Sequence, residues 1–147
     1  MNAKKPMLGN AGFTLIEIMV VVVILGILAA IIAPNIIGRV EQARITRAKT
    51  DIQTIEAALK MYRIDNSRYP TTEQGLEALV RKPAGSNLPK YSSGGYLERL
   101  RKDPWSSSYQ YLYPGQNGRV DIYSFGADGL QGGVEDDADI GNWNLDE

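Results

Sequence analysis

Between Phe13 and Ala33 lie 21 residues with a single ionisable side chain, Glu17. As an α-helix rising about 1.5 Å per residue, that run spans roughly 30 Å, the thickness of a bilayer's hydrocarbon core. No small soluble domain can hide such a helix on every side, so the run must be removed or anchored in lipid. A removable secretory signal would also place Lys4 and Lys5 ahead of an apolar region. However, the uninterrupted stretch Ile18–Ala33 has 16 residues, longer than the usual signal, and no small-x-small cleavage site precedes a polar start. A simple anchor is the second reading, with the Glu17 carboxylate reaching for the headgroups.

The 147 residues suit one small domain on a membrane helix. Cysteine and histidine are both absent, which excludes thiol nucleophiles, thiolate zinc sites, histidine bases and disulfide staples. Nothing in the charge pattern points to nucleic acid. A membrane-anchored enzyme or ligand-binding module would have to rely on Asp128, Asp136, Asp137 and Asp139, with no accompanying nucleophile or base.

Pro34 either ends the apolar helix or kinks it, and the residues beyond favour a kink. Ile45, Ala48, Ile52, Ile55, Leu59 and Tyr62 recur at spacings of three and four, an amphipathic stripe on a helix reaching about Arg63. Core packing against a sheet accounts for that stripe. Asp65–Pro70 breaks the pattern with turn formers. Thr71 and Gln74 then predict a capping box opening a short helix to about Val80, which buries Leu76, Leu79 and Val80. Residues 82–95 read as loop. Tyr109–Tyr113 and Val120–Phe125 predict an antiparallel pair around a Pro114–Gly118 turn, with a third strand near Ile140–Asn144. The fold class is therefore α+β: a long N-terminal helix, transmembrane in its first half, packed on a small C-terminal antiparallel sheet. The eight tyrosines and two tryptophans read as core and rim packing.

Ser124–Asp139 carries five acidic side chains and four glycines. Clustered carboxylates on so pliable a backbone either stay solvated or are drawn together by a hard cation. Calcium suits carboxylate and carbonyl oxygens at variable geometry better than zinc does, although the spacing is not that of an EF-hand.

Gly12-Phe13-Thr14-Leu15-Ile16-Glu17 and its apolar tail resemble the processing motif of type IV pilins and pseudopilins. That resemblance implies a leader, residues 1–12, removed by a prepilin peptidase that cuts after Gly12 and N-methylates Phe13. Loss of Lys4 and Lys5 with it would shift the formal charge from −1 to −3. Residues 13–34 would be the transmembrane and assembly helix, and 35–147 a periplasmic pseudopilin domain. The same resemblance implies that Glu17, fifth in the mature chain, pairs with the Phe13 amine of a neighbouring subunit and sets register.

The segment DNSRYPTTEQGLEALV, with Gly94–Leu97, Asp103-Pro104-Trp105 and Tyr109-Gln110-Tyr111, is similar to the major pseudopilin family of type II secretion systems. What this implies is a pilin-like subunit of a homopolymeric pseudopilus. It would be anchored once in the bacterial inner membrane, with its C-terminal domain in the periplasm, and would help drive folded exoproteins through an outer-membrane secretin. Implied partners are minor pseudopilins, the prepilin peptidase, and the inner-membrane assembly platform with its ATPase; no catalysis of its own is implied. The resemblance also implies calcium in the acidic loop. Asp128 and Asp139 match ligand positions, Phe125 and Leu130 would offer backbone carbonyls, and Asp137 or Asp136, a carbonyl or a water would stand in where Ala138 replaces an aspartate. A type IV pilin or a minor pseudopilin is the alternative. The missing cysteines and the acidic loop argue against the pilin.

Overall fold

The computed structural model describes residues 12–146, apart from the side chains of residues 33–37 and 136. The expected leader, Gly12 excepted, lies outside them. The chain divides into two units, Met1–Arg39 and Val40–Glu147.

Helix α1 covers Leu15–Asn66 without a break at position 34, so the proline does not end it. Proline removes one amide donor, and a long helix tolerates that single loss. In the first unit, Leu15–Ile32 has a mean hydropathy of 3.2 and buries none of its residues. Among the described residues this is the one segment long and apolar enough to cross a membrane, judged by length and composition.

In the second unit the stripe on α1 becomes core. Ala48, Ile52, Ile55, Leu59 and Tyr62 are buried, joined by Ala58, and Ile45 packs at their edge. Three strands meet this core: β1 (Gln110–Leu112), β2 (Asp121–Ser124) and β3 (Ile140–Gly141). Their order is β1-β2-β3, antiparallel throughout, with Tyr111 opposite Ile122 and Ser124 opposite Ile140. Period-two alternation turns Tyr111 inward between half-buried Gln110 and Leu112, as the pleat requires.

Strands β1 and β2 each stop a residue short of the expected Tyr109–Tyr113 and Val120–Phe125 at both ends, and two other expected elements are cut back further. The Thr71–Gln74 capping box forms reciprocally, with Thr71 N donating to Gln74 Oε1 (3.0 Å) and Gln74 N to Thr71 Oγ1 (3.2 Å). Yet the helix it was expected to open, α2, covers only Glu77–Val80. Gly75 is the reason: its φ of 60° is left-handed and cannot continue a right-handed helix. Leu76 and Leu79 are buried as expected, whereas Val80 is only half-buried and Ala78 takes the inner place. The third strand stops at Gly141: Asn142 N still donates to Ile122 O at 3.0 Å, but its side chain makes the remaining bonds to β2 and the residue before that strand. Its Oδ1 accepts from Ile122 N (3.1 Å) and its Nδ2 donates to Val120 O (3.0 Å). Asn144 Oδ1 then takes Gly141 N at 2.8 Å and turns the chain away.

Tyrosines fasten the loops to α1. Tyr62, Tyr91 and Tyr96 pack edge-on or tilted, with ring centroids 5.3–6.1 Å apart. The Tyr96 hydroxyl donates to Asp65 Oδ2 (3.1 Å) and receives Asn66 Nδ2 (2.9 Å). Tyr109 donates to Asp51 Oδ2 at 3.1 Å, and Tyr111 to the Pro70 carbonyl at 2.9 Å. Burial raises the pKa of both phenols, and the Asp51 carboxylate raises that of Tyr109 further. Unfolded tyrosines ionise near pH 10 while these stay neutral, so above that pH the unfolded state holds fewer protons and stability falls. Alkaline titration followed by circular dichroism is therefore expected to show stability intact below pH 10 and falling progressively above it. A Tyr109→Phe variant should lose less over that range, and an equal loss in both would remove Tyr109 from the account.

Candidate assembly helix and acidic loop

The N-terminus is built by a local motif. Thr14 caps α1: its Oγ1 accepts Glu17 N (3.3 Å), its carbonyl accepts the amides of Glu17 (3.1 Å) and Ile18 (3.3 Å), and its own N points back to Glu17 Oε2 at 3.5 Å. Thr-x-x-Glu is a capping box, so Glu17 has a local task in addition to any intermolecular one. A carboxylate in the first turn also complements the positive end of the helix. Thr14 was legible in the sequence through this spacing, although reading the glutamate alone passes over it. Phe13 is 79% exposed and Leu15 82%, so the segment after Gly12 presents its apolar side chains outward.

The acidic loop is organised by its backbone. Asp128 Oδ1 accepts Leu130 N at 2.9 Å, closing a local turn around Gly129. Farther along, Asp139 Oδ2 accepts Gly132 N (2.9 Å) while Asp139 N donates to Gly132 O (3.2 Å), which closes Gly132–Asp139 into a second ring. Inside that ring Glu135–Asp137 makes a single 3-10 turn. Gly126 joins the two parts: at φ 71°, a Cβ there would stand 2.8 Å from the Ala138 carbonyl, so only glycine allows the strands of the loop so close.

The expected ligands are thus distributed. Asp139 is half-buried beside β3, and its Oδ1 is buried with no hydrogen-bond partner. Asp128 and Asp137 are exposed, as is Leu130 at 67%. Phe125 packs edge-on against Tyr123, with centroids 5.3 Å apart, and Tyr123 in turn tilts against Trp143. Among the described residues no three acidic side chains converge, and the Asp136 side chain lies outside the description. The donor set is nonetheless one of hard oxygens. An orphaned carboxylate oxygen at the base of an acidic loop suits a hard cation, because a buried acceptor without a donor is costly.

Residues 35–143 match the family described as Type II secretion system (T2SS), protein G. The chain belongs to that family. Residues 7–33 match the prokaryotic N-terminal methylation motif. A type II secretion system core protein G of Pseudomonas aeruginosa is 60% identical over 136 residues, which is 92% of this chain and 96% of the relative. The core protein G of Vibrio cholerae is 55% identical over 97% of this chain and 98% of its own. The fold agrees: the crystal structure of the major pseudopilin from the type 2 secretion system of enterohaemorrhagic Escherichia coli is 49% identical, with a TM-score of 0.64, covering 75% of this chain and 95% of that one.

For a protein G family member, the connection between the acidic loop and the rest of the domain is the part that sequence reading missed. Asp103 is 3% exposed. Its Oδ1 accepts the amides of Trp105 (3.1 Å) and Ser107 (2.7 Å), and its Oδ2 accepts the Ser124 hydroxyl at 2.5 Å. Ser124 Oγ in turn receives Gly126 N at 3.3 Å. One buried carboxylate therefore ties the 103–107 turn to the end of β2, where the acidic loop begins. Trp105 extends the tie to α1, its Nε1 donating to Glu41 Oε1 at 2.7 Å. An Asp-Pro step signals a turn in sequence, but nothing local to it signals a partner 21 residues away.

Proposed function

We propose that this chain is the major subunit of a type II secretion pseudopilus. It is made with a leader that is cut after Gly12, N-methylated at Phe13, held in the inner membrane by the apolar part of α1, and oriented with residues 35–147 in the periplasm. Copies then polymerise through that helix, and filament growth helps move folded exoproteins through the secretin. The observation that carries this reading is an apolar helix segment with every residue from Leu15 to Ile32 unburied, lying within the match to the N-terminal methylation motif. Such a surface needs lipid before assembly and other helices after it. Minor pseudopilins, the prepilin peptidase, and the assembly platform with its ATPase are the partners this role requires. The subunit works as a building block and not as an enzyme.

Glu17 sets register in this scheme. Its capping-box contact to Thr14 is local and long, at 3.5 Å on one arm, so the carboxylate can exchange that arm for the protonated Phe13 amine of a neighbour. In a medium of low dielectric such a pair is far stronger than in water. Glu17→Ala is expected to leave processing after Gly12 intact and to cut filament yield in a sedimentation assay by at least about tenfold, the equivalent of one charge-assisted hydrogen bond. Filaments of normal amount and growth rate in the variant would refute the register role. Subunits that stay monomeric under all assembly conditions would refute the pseudopilus reading itself.

Calcium belongs to the same proposal. Asp128 and Asp139 would hold the ion, with the carbonyls of Phe125 and Leu130 and a contribution from Asp136 or Asp137. It would neutralise the loop's clustered charge and so order it. The unpartnered Asp139 Oδ1 is what favours this over a merely solvated loop.

A further inference from the structure

Asn117 and Gly118 stand at the tip of the β1–β2 hairpin, and both residues are exposed. An Asn-Gly step is the peptide sequence most open to self-modification, because no side chain at the second residue impedes its amide nitrogen from attacking the asparagine carboxamide. Here both reacting groups are held by one carboxylate. Asp121 is 1% exposed and lies beneath the turn. Its Oδ1 accepts Gly118 N at 3.0 Å, the nitrogen that would attack. Its Oδ2 accepts Asn117 Nδ2 at 3.2 Å, the nitrogen that would leave, together with the amides of Asn117 (3.0 Å) and Gln116 (2.7 Å).

We propose that Asn117–Gly118 is a latent deamidation site, kept unreactive in the folded chain by the buried Asp121 carboxylate. In the reaction, Gly118 N loses its proton to hydroxide and forms a bond to Asn117 Cγ. The Cγ–Nδ2 bond breaks as Nδ2 takes a proton from water, which regenerates the hydroxide, and ammonia leaves, giving a succinimide. Water then opens the ring to aspartate or isoaspartate. Asp121 opposes the first step, since a negative oxygen facing Gly118 N disfavours its deprotonation and the hydrogen bond must break before the nitrogen can turn toward Cγ. The loss of one hydrogen bond to a charged group corresponds to roughly a ten- to hundred-fold slower reaction.

The product would not fit the site it leaves. Aspartate at position 117 sets a second negative charge against a carboxylate that is already buried, and isoaspartate lengthens the backbone of a turn whose four donors point at one acceptor. The hairpin is therefore chemically safe while folded and vulnerable while unfolded.

The test uses the full chain in detergent at mildly alkaline pH, with peptide mass mapping of Asn117 and isoaspartate detection. The native chain is expected to deamidate ten- to a hundred-fold more slowly than the same chain in denaturant. Asp121→Asn should raise the native rate at least fivefold wherever circular dichroism shows it folded. Gly118→Ala should suppress the reaction in both states without loss of fold, because a Cβ there meets only Val120 O at 3.6 Å and Asp121 Oδ1 at 4.0 Å. Should Asp121→Asn not fold, hydrogen exchange at the wild-type Gly118 amide decides: slow exchange supports the clamp, and exchange as fast as an open turn overturns it. Equal rates in the native and denatured wild type, or a folded Asp121→Asn with an unchanged rate, would overturn it as well.

Discussion

Replacing Asp103 with alanine is expected to lower the stability of the Val40–Glu147 unit by about 3 kcal/mol, because the change strips acceptors from three donors at once. Two of these are backbone amides, Trp105 N and Ser107 N, and the third is the hydroxyl of Ser124, which is fully buried at 0% exposure. A buried donor left without an acceptor costs about 1–3 kcal/mol. For a domain of this size the midpoint of thermal unfolding should drop by roughly 10 °C, read by circular dichroism on the full chain in detergent. Asp103→Asn keeps one acceptor and the shape, so it should lose only about a third as much. The damage should also spread: with Ser124 Oγ released, Gly126 N loses its partner, and amide exchange in the first residues of the acidic loop should accelerate ahead of global unfolding. A midpoint unchanged by Asp103→Ala would show that the carboxylate is not the joint between the 103–107 turn and β2.

Calcium at one hundred times its dissociation constant is expected to stabilise the chain by about 2.7 kcal/mol over a chelator-treated sample, on the condition that the unfolded loop does not bind. The gain should vanish in both Asp128→Ala and Asp139→Ala. The two substitutions should differ without calcium. Asp139→Ala removes the Oδ2 contact to Gly132 N and opens the ring Gly132–Asp139, so it is expected to lower the midpoint even in chelator. Asp128 is exposed and accepts the Leu130 amide of its own turn, so its loss in chelator should be small. Trp143 offers a spectroscopic readout, since its ring lies tilted against that of Tyr123, 5.7 Å away, two residues before the loop's Phe125. Its emission should shift on calcium addition to the native chain and stay constant in both variants. No shift in midpoint or emission would leave the loop a solvated acidic turn.

Both experiments probe places where local reading and tertiary structure diverge. The membrane run depends on unbroken apolar length, and the helical stripe and the hairpin on periodicity: which face is apolar is written in spacings of three and four, or of two, and packing merely fills it. Position by position, Ala48, Ile52, Ile55, Leu59 and Tyr62 are buried as their spacing requires. Element length is another matter. Thr71 and Gln74 signal a helix start, and the reciprocal bonds form, but a left-handed Gly75 halts the turn before α2 begins. Whether a glycine continues a helix or breaks it depends on what the next segment must reach, here the burial of Leu76 and Leu79.

From the sequence alone come the apolar helix, the single carboxylate within it, the amphipathic continuation, the α+β class and the acidic loop, since each is a statement about composition and period along one stretch of chain. Tertiary structure alone decides that Asp103 reaches Ser124, that Asp121 gathers the donors of residues 116–118, that the Asn142 side chain completes the pairing with β2, and that one oxygen of Asp139 is left without a donor. The reason is that a buried carboxylate or amide is placed by the need to satisfy donors brought together from distant segments. No periodicity encodes that need, because it arises only once the backbone has closed around it.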